Sequence, residues 1–152
     1  MDKSLENLLK TKDEIKDSFN KIAWMMCVHI GNKYPDTYFY IYRTTIHKYI
    51  TELSYEPIAL FIKYIYSNDG YRNKILTGDE SFFMNENYHQ YLDKSENNYN
   101  ADTSQIFVMK DVWGKMDDQN KNFVRQAFKN LVDRTELYVD VLCSINKLKK
   151  KD

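Results

Sequence analysis

Turn-forming residues are scarce: the 152-residue chain has four glycines and two prolines. An all-β chain needs more such punctuation, so the scarcity points to helices. Cysteine is nearly absent. Cys27 and Cys143 lie far apart in apolar stretches, too few for a disulfide framework, and each reads as a small buried hydrophobe. No apolar run approaches the roughly 18 residues a membrane span needs, and Met1 to Lys16 lacks the apolar core of a signal peptide. Net charge is also missing, since 22 basic residues balance 22 acidic ones. A dedicated nucleic-acid binder usually carries a basic excess, although neutrality does not exclude a local patch.

What the chain does have is apolar periodicity. Leu5, Leu8, Leu9, Ile15, Phe19, Ile22, Ala23, Met26 and Ile30 recur at steps of three and four, predicting a helix from Lys3 to Ile30. Gly31 suits the left-handed residue that ends a helix, and Pro35 blocks continuation. A second helix is expected from Asp36 to Leu53, with strand a competitor at Tyr38 to Tyr42. Pro57 fits the first turn of a third helix, with Ser54 or Glu56 as cap. Ile58 to Tyr66 is apolar on most sides and is expected in the middle of a bundle. Asn68-Asp69-Gly70 reads as a turn, followed by a short helix ended at Gly78. Asp79 then caps another short turn through Phe82 and Phe83. A last helix is expected from Gln119 to Leu148, behind a cap at Asp117 or Asp118.

Between the short helices and the last one the pattern dissolves. Residues 85–105 read as an acidic, Asn-rich surface loop, and 147–152 as a basic tail. The expectation is one all-α domain over 1–152, a compact bundle in which two long helices bracket shorter ones.

Signals for chemistry are few. His29, His47 and His89 sit in three different segments, whereas a zinc site needs about four converging ligands. There is no Gly-rich phosphate loop and no nucleophile elbow. No catalytic residue, metal ligand or cofactor is therefore assigned, and the chain is expected not to be an enzyme. Aromatics make up 15% of the chain, 13 of them tyrosine. That is more than a small domain easily buries with its hydroxyls satisfied, so some should be exposed, reflecting either protein contacts or a coding bias toward tyrosine. Phe82, Phe83, Tyr88 and Tyr91, beside the acidic loop, are the candidate contact residues. Lys147, Lys149, Lys150 and Lys151 are candidate phosphate contacts.

Two segments carry a resemblance: Gly78-Asp79-Glu80-Ser81-Phe82-Phe83, and Val112-Trp113-Gly114-Lys115-Met116-Asp117-Asp118-Gln119-Asn120-Lys121 leading into Phe123, Val124 and Leu131. Together they resemble uncharacterised small helical proteins of giant, nucleocytoplasmic large DNA viruses. The abundance of Lys, Asn, Ile and Tyr, whose codons are A/T-rich, fits such a source. In that pattern an aromatic often holds the places of Arg125 and Ala127, and leucine that of Met116. The resemblance implies a viral origin more than an activity. The aromatic surplus, the acidic loop and the lack of catalytic motifs point to a viral adaptor or a subunit of a larger assembly, in virion or host cytoplasm, whose partner is another viral or host protein. Trp113 is expected to pack as a staple near Phe123. Two alternatives stand beside this one. One is a Bcl-2-like host-modulating bundle, whose Asn-Trp-Gly-Arg signature Val112-Trp113-Gly114-Lys115 only partly echoes. The other is a nucleic-acid-binding accessory protein using the basic end. Nothing in the sequence fixes the oligomeric state.

Overall fold

The computed structural model describes residues 3–52, 55–85 and 107–150. These form α1 (Lys3–Lys33), α2 (Tyr38–Glu52), α3 (Glu56–Phe61) continued by a π-helical turn (Ile62–Tyr66), α4 (Asp69–Thr77), α5 (Glu80–Asn85), α6 (Lys110–Trp113) and α7 (Asp118–Lys150). No strand occurs among the described residues, and the fold is an all-α bundle.

The two long helices set the frame. With 31 and 33 residues, α1 and α7 are each roughly 45–50 Å long at 1.5 Å per residue. They run antiparallel: His29 near the end of α1 bonds Asn120 at the start of α7, while Lys12 shares a groove with Leu142. Phe19, Ala23, Met26, Cys27 and Ile30 on α1 are fully buried, as are Val124, Phe128 and Leu131 on α7. This is the expected 3.6-residue stripe, put to use between two partners.

α2 folds back along α1. The Asn20 side chain donates to the Ile50 carbonyl at 3.1 Å, and Trp24 lies 4.3 Å from the His47 ring. Aromatic Tyr38 to Tyr42 lies in a helix, because α2 has a helix to pack on and no strand to pair with. The reversal before α2 corrects the expectation for Gly31. α1 runs two residues past it, and Gly31 is buried inside the helix. A Cβ there would stand 3.0 Å from the backbone carbonyl carbon of Phe39. Gly31 is thus a close-approach glycine, while the left-handed cap is Gly78, at φ 73°.

α3 carries Pro57 in its first turn, with Tyr55 at the N-cap and no side-chain capping bond. Ser54 lies outside the described residues. Ile58, Leu60, Phe61 and Ile65 are buried, but Ala59 and Lys63 face solvent. The segment is therefore a one-sided layer against α1 and α7, and does not lie in the bundle's middle. Asn68, read as a turn residue, is the N-cap of α4: its Oδ1 accepts from Tyr71 N at 3.0 Å. The core is continuous and rich in phenylalanine, with Phe19, Phe61 and Phe107 meeting edge to face at 5.3–6.1 Å.

Candidate functional site

Three places combine chemistry with geometry. The first joins the two segments singled out in the sequence. Asp79 caps α5, accepting from Ser81 N at 2.9 Å, and that bond holds its carboxyl below the usual range. Glu80, the first residue of α5, accepts from Trp113 Nε1 at 2.6 Å and from Lys121 Nζ at 3.2 Å. The indole bond, then the lysine, hold its carboxyl below the ordinary carboxylate value. Trp113 stacks on Phe83 at 4.4 Å with the planes 4° apart. Arg125 covers the indole at 5.2 Å and donates from Nε to the Gly78 carbonyl. Trp113 thus packs on α5 and on Arg125, whereas Phe123 stacks on His29. The cluster fastens α5 and α6 to α7.

Phe82 and Phe83 are correspondingly not a contact surface, since both are fully buried. α5 is a single short helix wedged among α4, α6 and α7. Phe82 meets Tyr71 and Phe128, while Phe83 meets Trp113 and Phe128. Tyr88 and Tyr91, with the acidic segment, lie outside the described residues. A titration reads this cluster. Glu80 is ionised more readily in the folded state, so its contribution to stability is complete above the unfolded value of about 4.3 and is lost as pH falls through the lower folded value. Glu80→Gln is expected to lower the melting temperature at neutral pH, with the gap to wild type closing as acid is added. Thermal melts of both proteins from neutral to strongly acidic pH check this.

The second place is a polar cleft of about 320 Å³ between the end of α1 and the start of α7. Asp117 caps α7, its Oδ1 accepting from Asn120 N at 2.9 Å. The Asn120 amide donates to Asp117 Oδ1 and to the Tyr34 hydroxyl. Its oxygen therefore faces His29 Nε2 at 2.8 Å, and the hydrogen belongs on that nitrogen. Every polar atom of the Asn120 side chain is engaged, so the network reads first as a clamp between α1 and α7.

The third is an apolar groove of about 420 Å³ where α1, α3 and α7 meet. Ala59 and Ile62 form one wall, Tyr138 and Leu142 the other, and Tyr55 and Lys12 close the side. Tyr55 lies 6.3 Å from the Tyr138 ring and donates its hydroxyl hydrogen to Asp13. Lys12 and Lys16 each reach within 5.0 Å of the Tyr55 ring centre. Burial raises the Tyr138 phenol above its ordinary value, with Asp13 adding to the effect. Sequence reasoning missed this groove because its walls come from three separate segments. The one available signal was the tyrosine surplus.

The remaining candidates are quickly placed. Lys147, Lys149 and Lys150 are exposed on the last turn of α7, and Lys151 lies outside the described residues. Cys27 is buried, which pushes its thiol up, whereas Cys143 is exposed; both are free. Among the described residues no three His, Cys, Asp or Glu side chains gather where a metal ion could be held. Among them also, no helix is long and apolar enough to cross a membrane. No protein-family model, curated protein or solved structure matches the chain.

Proposed function

We propose that the chain is a non-catalytic protein-interaction module that receives an amphipathic helix of its partner in the groove between α3 and α7. The observation that carries this is the groove's make-up: an apolar floor with two tyrosines, edged by charge. Interfaces place aromatic and aliphatic anchors at the centre and polar groups at the rim. A trough between two helices suits a third helix presenting residues at i, i+3, i+4 and i+7. Lys12 forms no ion pair among the described residues, so an acidic residue on the partner helix would meet it. In this reading the partner is another viral or host protein, and the chain is an adaptor or a subunit of a larger assembly.

Ala59 offers the test, because it is exposed and lies in the groove wall. Ala59→Arg fills the trough without entering the core. Pull-down from extract of the native host cells should give one stoichiometric partner with wild type. Ala59→Arg, at unchanged helicity and melting temperature, should retain at least about tenfold less, the scale of one hot-spot contact. Equal retention by the two proteins, or no partner for either, overturns the reading.

A further inference from the structure

The antiparallel pairing of α1 and α7 assembles a charge cluster that neither chain segment carries alone. Lys12 and Leu142 both line the groove. From there α1 runs back nine residues to Lys3 and α7 runs on eight residues to Lys150. Both paths cover roughly 12–14 Å along parallel axes, so the two helix ends form one tip. The tip, residues 3–12 with 143–150, holds Lys3, Lys10, Lys12, Lys147, Lys149 and Lys150 against a single acid, Glu6. Its formal charge is +5 on a chain whose total is zero. Five of these lysines are exposed, Lys12 being half-buried, and none forms an ion pair among the described residues. Between them Leu5, Leu8, Leu9 and Leu148 remain half-buried.

We infer that this tip is a docking surface for an anionic lipid bilayer. Three features favour lipid headgroups over nucleic acid. The tip has lysine and leucine but neither arginine nor an aromatic residue, so it lacks the forked donors and stacking faces that nucleic-acid sites use. Its two adjacent helices, each about 10 Å across, are together wider than a major groove of about 12 Å and suited to a flat array of charges. The half-buried leucines lie beside the lysines, and such a mixture rests at a headgroup boundary, with long lysine stems reaching outward. The contact is peripheral, driven by lysines acting together near a negative surface. The tip adjoins the groove at Lys12, but the lysines substituted below lie outside the groove lining, so the inference stands whether or not the groove binds a helix.

The test is co-sedimentation of the full chain with vesicles of phosphatidylcholine alone, and with about one-third phosphatidylserine. Partition onto the anionic vesicles alone is expected, falling steeply as salt is raised to roughly 0.5 M. Lys3→Gln with Lys10→Gln should weaken it as much as Lys149→Gln with Lys150→Gln, each pair by roughly 25-fold at about fivefold per lysine. Lys21→Gln with Lys110→Gln, exposed sites elsewhere on the molecule, should change it less than about twofold if position rather than total charge governs binding. Circular dichroism of every variant confirms that the helices persist. The inference is overturned by equal binding to neutral vesicles, by no binding, by equal effects of all three pairs, or by tighter retention on duplex DNA than on anionic vesicles.

Discussion

Trp113→Ala is expected to cost the fold about 3–5 kcal/mol, the range for deleting a fully buried aromatic side chain. Trp113 has no exposed surface and touches both α5 and α7. Its face lies on Phe83, its Nε1 donates to Glu80, and Lys121 and Arg125 sit over its ring. Removing it opens a void beneath two cations and takes away the shorter of the two bonds to Glu80. Against a total stability of roughly 5–15 kcal/mol the loss is large, and the melting temperature should fall by roughly 10 °C or more. Trp113→Phe is milder: a ring stays against Phe83, while the indole bond and the volume of the second ring go, and the loss should be about 1–3 kcal/mol. Urea titrations followed by far-ultraviolet circular dichroism give both values. A loss under about 1 kcal/mol for Trp113→Ala would mean that α6 is not fastened through this residue.

Phe128→Ala should be comparably damaging, again by about 3–5 kcal/mol, for a different reason. Phe128 lies where α7 meets both aromatic groups of the core. Its ring centre is 6.3 Å from Phe61, 5.8 Å from Phe82 and 5.1 Å from Phe83, the last nearly perpendicular. Truncation removes the ring contacts between α5 and α7 as well as leaving a cavity. The effects of Phe128→Ala and Phe83→Ala should therefore fall short of adding, by about 0.5 kcal/mol or more, because each removes the same ring contact. Phe83→Ala on its own also separates two roles. A surface contact would lose binding at constant stability, whereas a core ring loses stability first. Chemical denaturation of the two single variants and the double variant measures all three quantities.

The long helices were legible because each keeps its apolar stripe for many turns, and the stripe at Phe19 to Ile30 is the one that packs. The cap at Asp79 was legible too, and that of α7 was narrowed to Asp117 or Asp118, since a short acidic side chain ahead of an apolar helix has few other uses. Gly31 was not. A glycine near a helix end reads the same whether it turns the chain or admits a neighbouring backbone, and only the position of Phe39 decides. Adjacent phenylalanines posed a similar problem. On an isolated helix one of Phe82 and Phe83 would face outward, and it is the wedging of α5 on several sides that covers both. Tyrosine abundance pointed to contacts but not to their place, since Tyr55 and Tyr138 meet across more than eighty residues of chain. The basic tail was visible as a run of lysines, but its enlargement by Lys3 and Lys10 depends on which way α1 lies against α7.

That antiparallel pair also governs how the protein comes into being. α1 is made early, and the helix that covers its apolar face begins 85 residues after α1 ends. At typical synthesis rates the interval to the start of α7 is roughly 5–15 s, far longer than a helix takes to form. During it Phe19, Met26 and Ile30 have only α2 and the short helices for shelter. The bundle thus closes late, when α7 arrives, so the nascent chain exposes an apolar face that the finished protein covers.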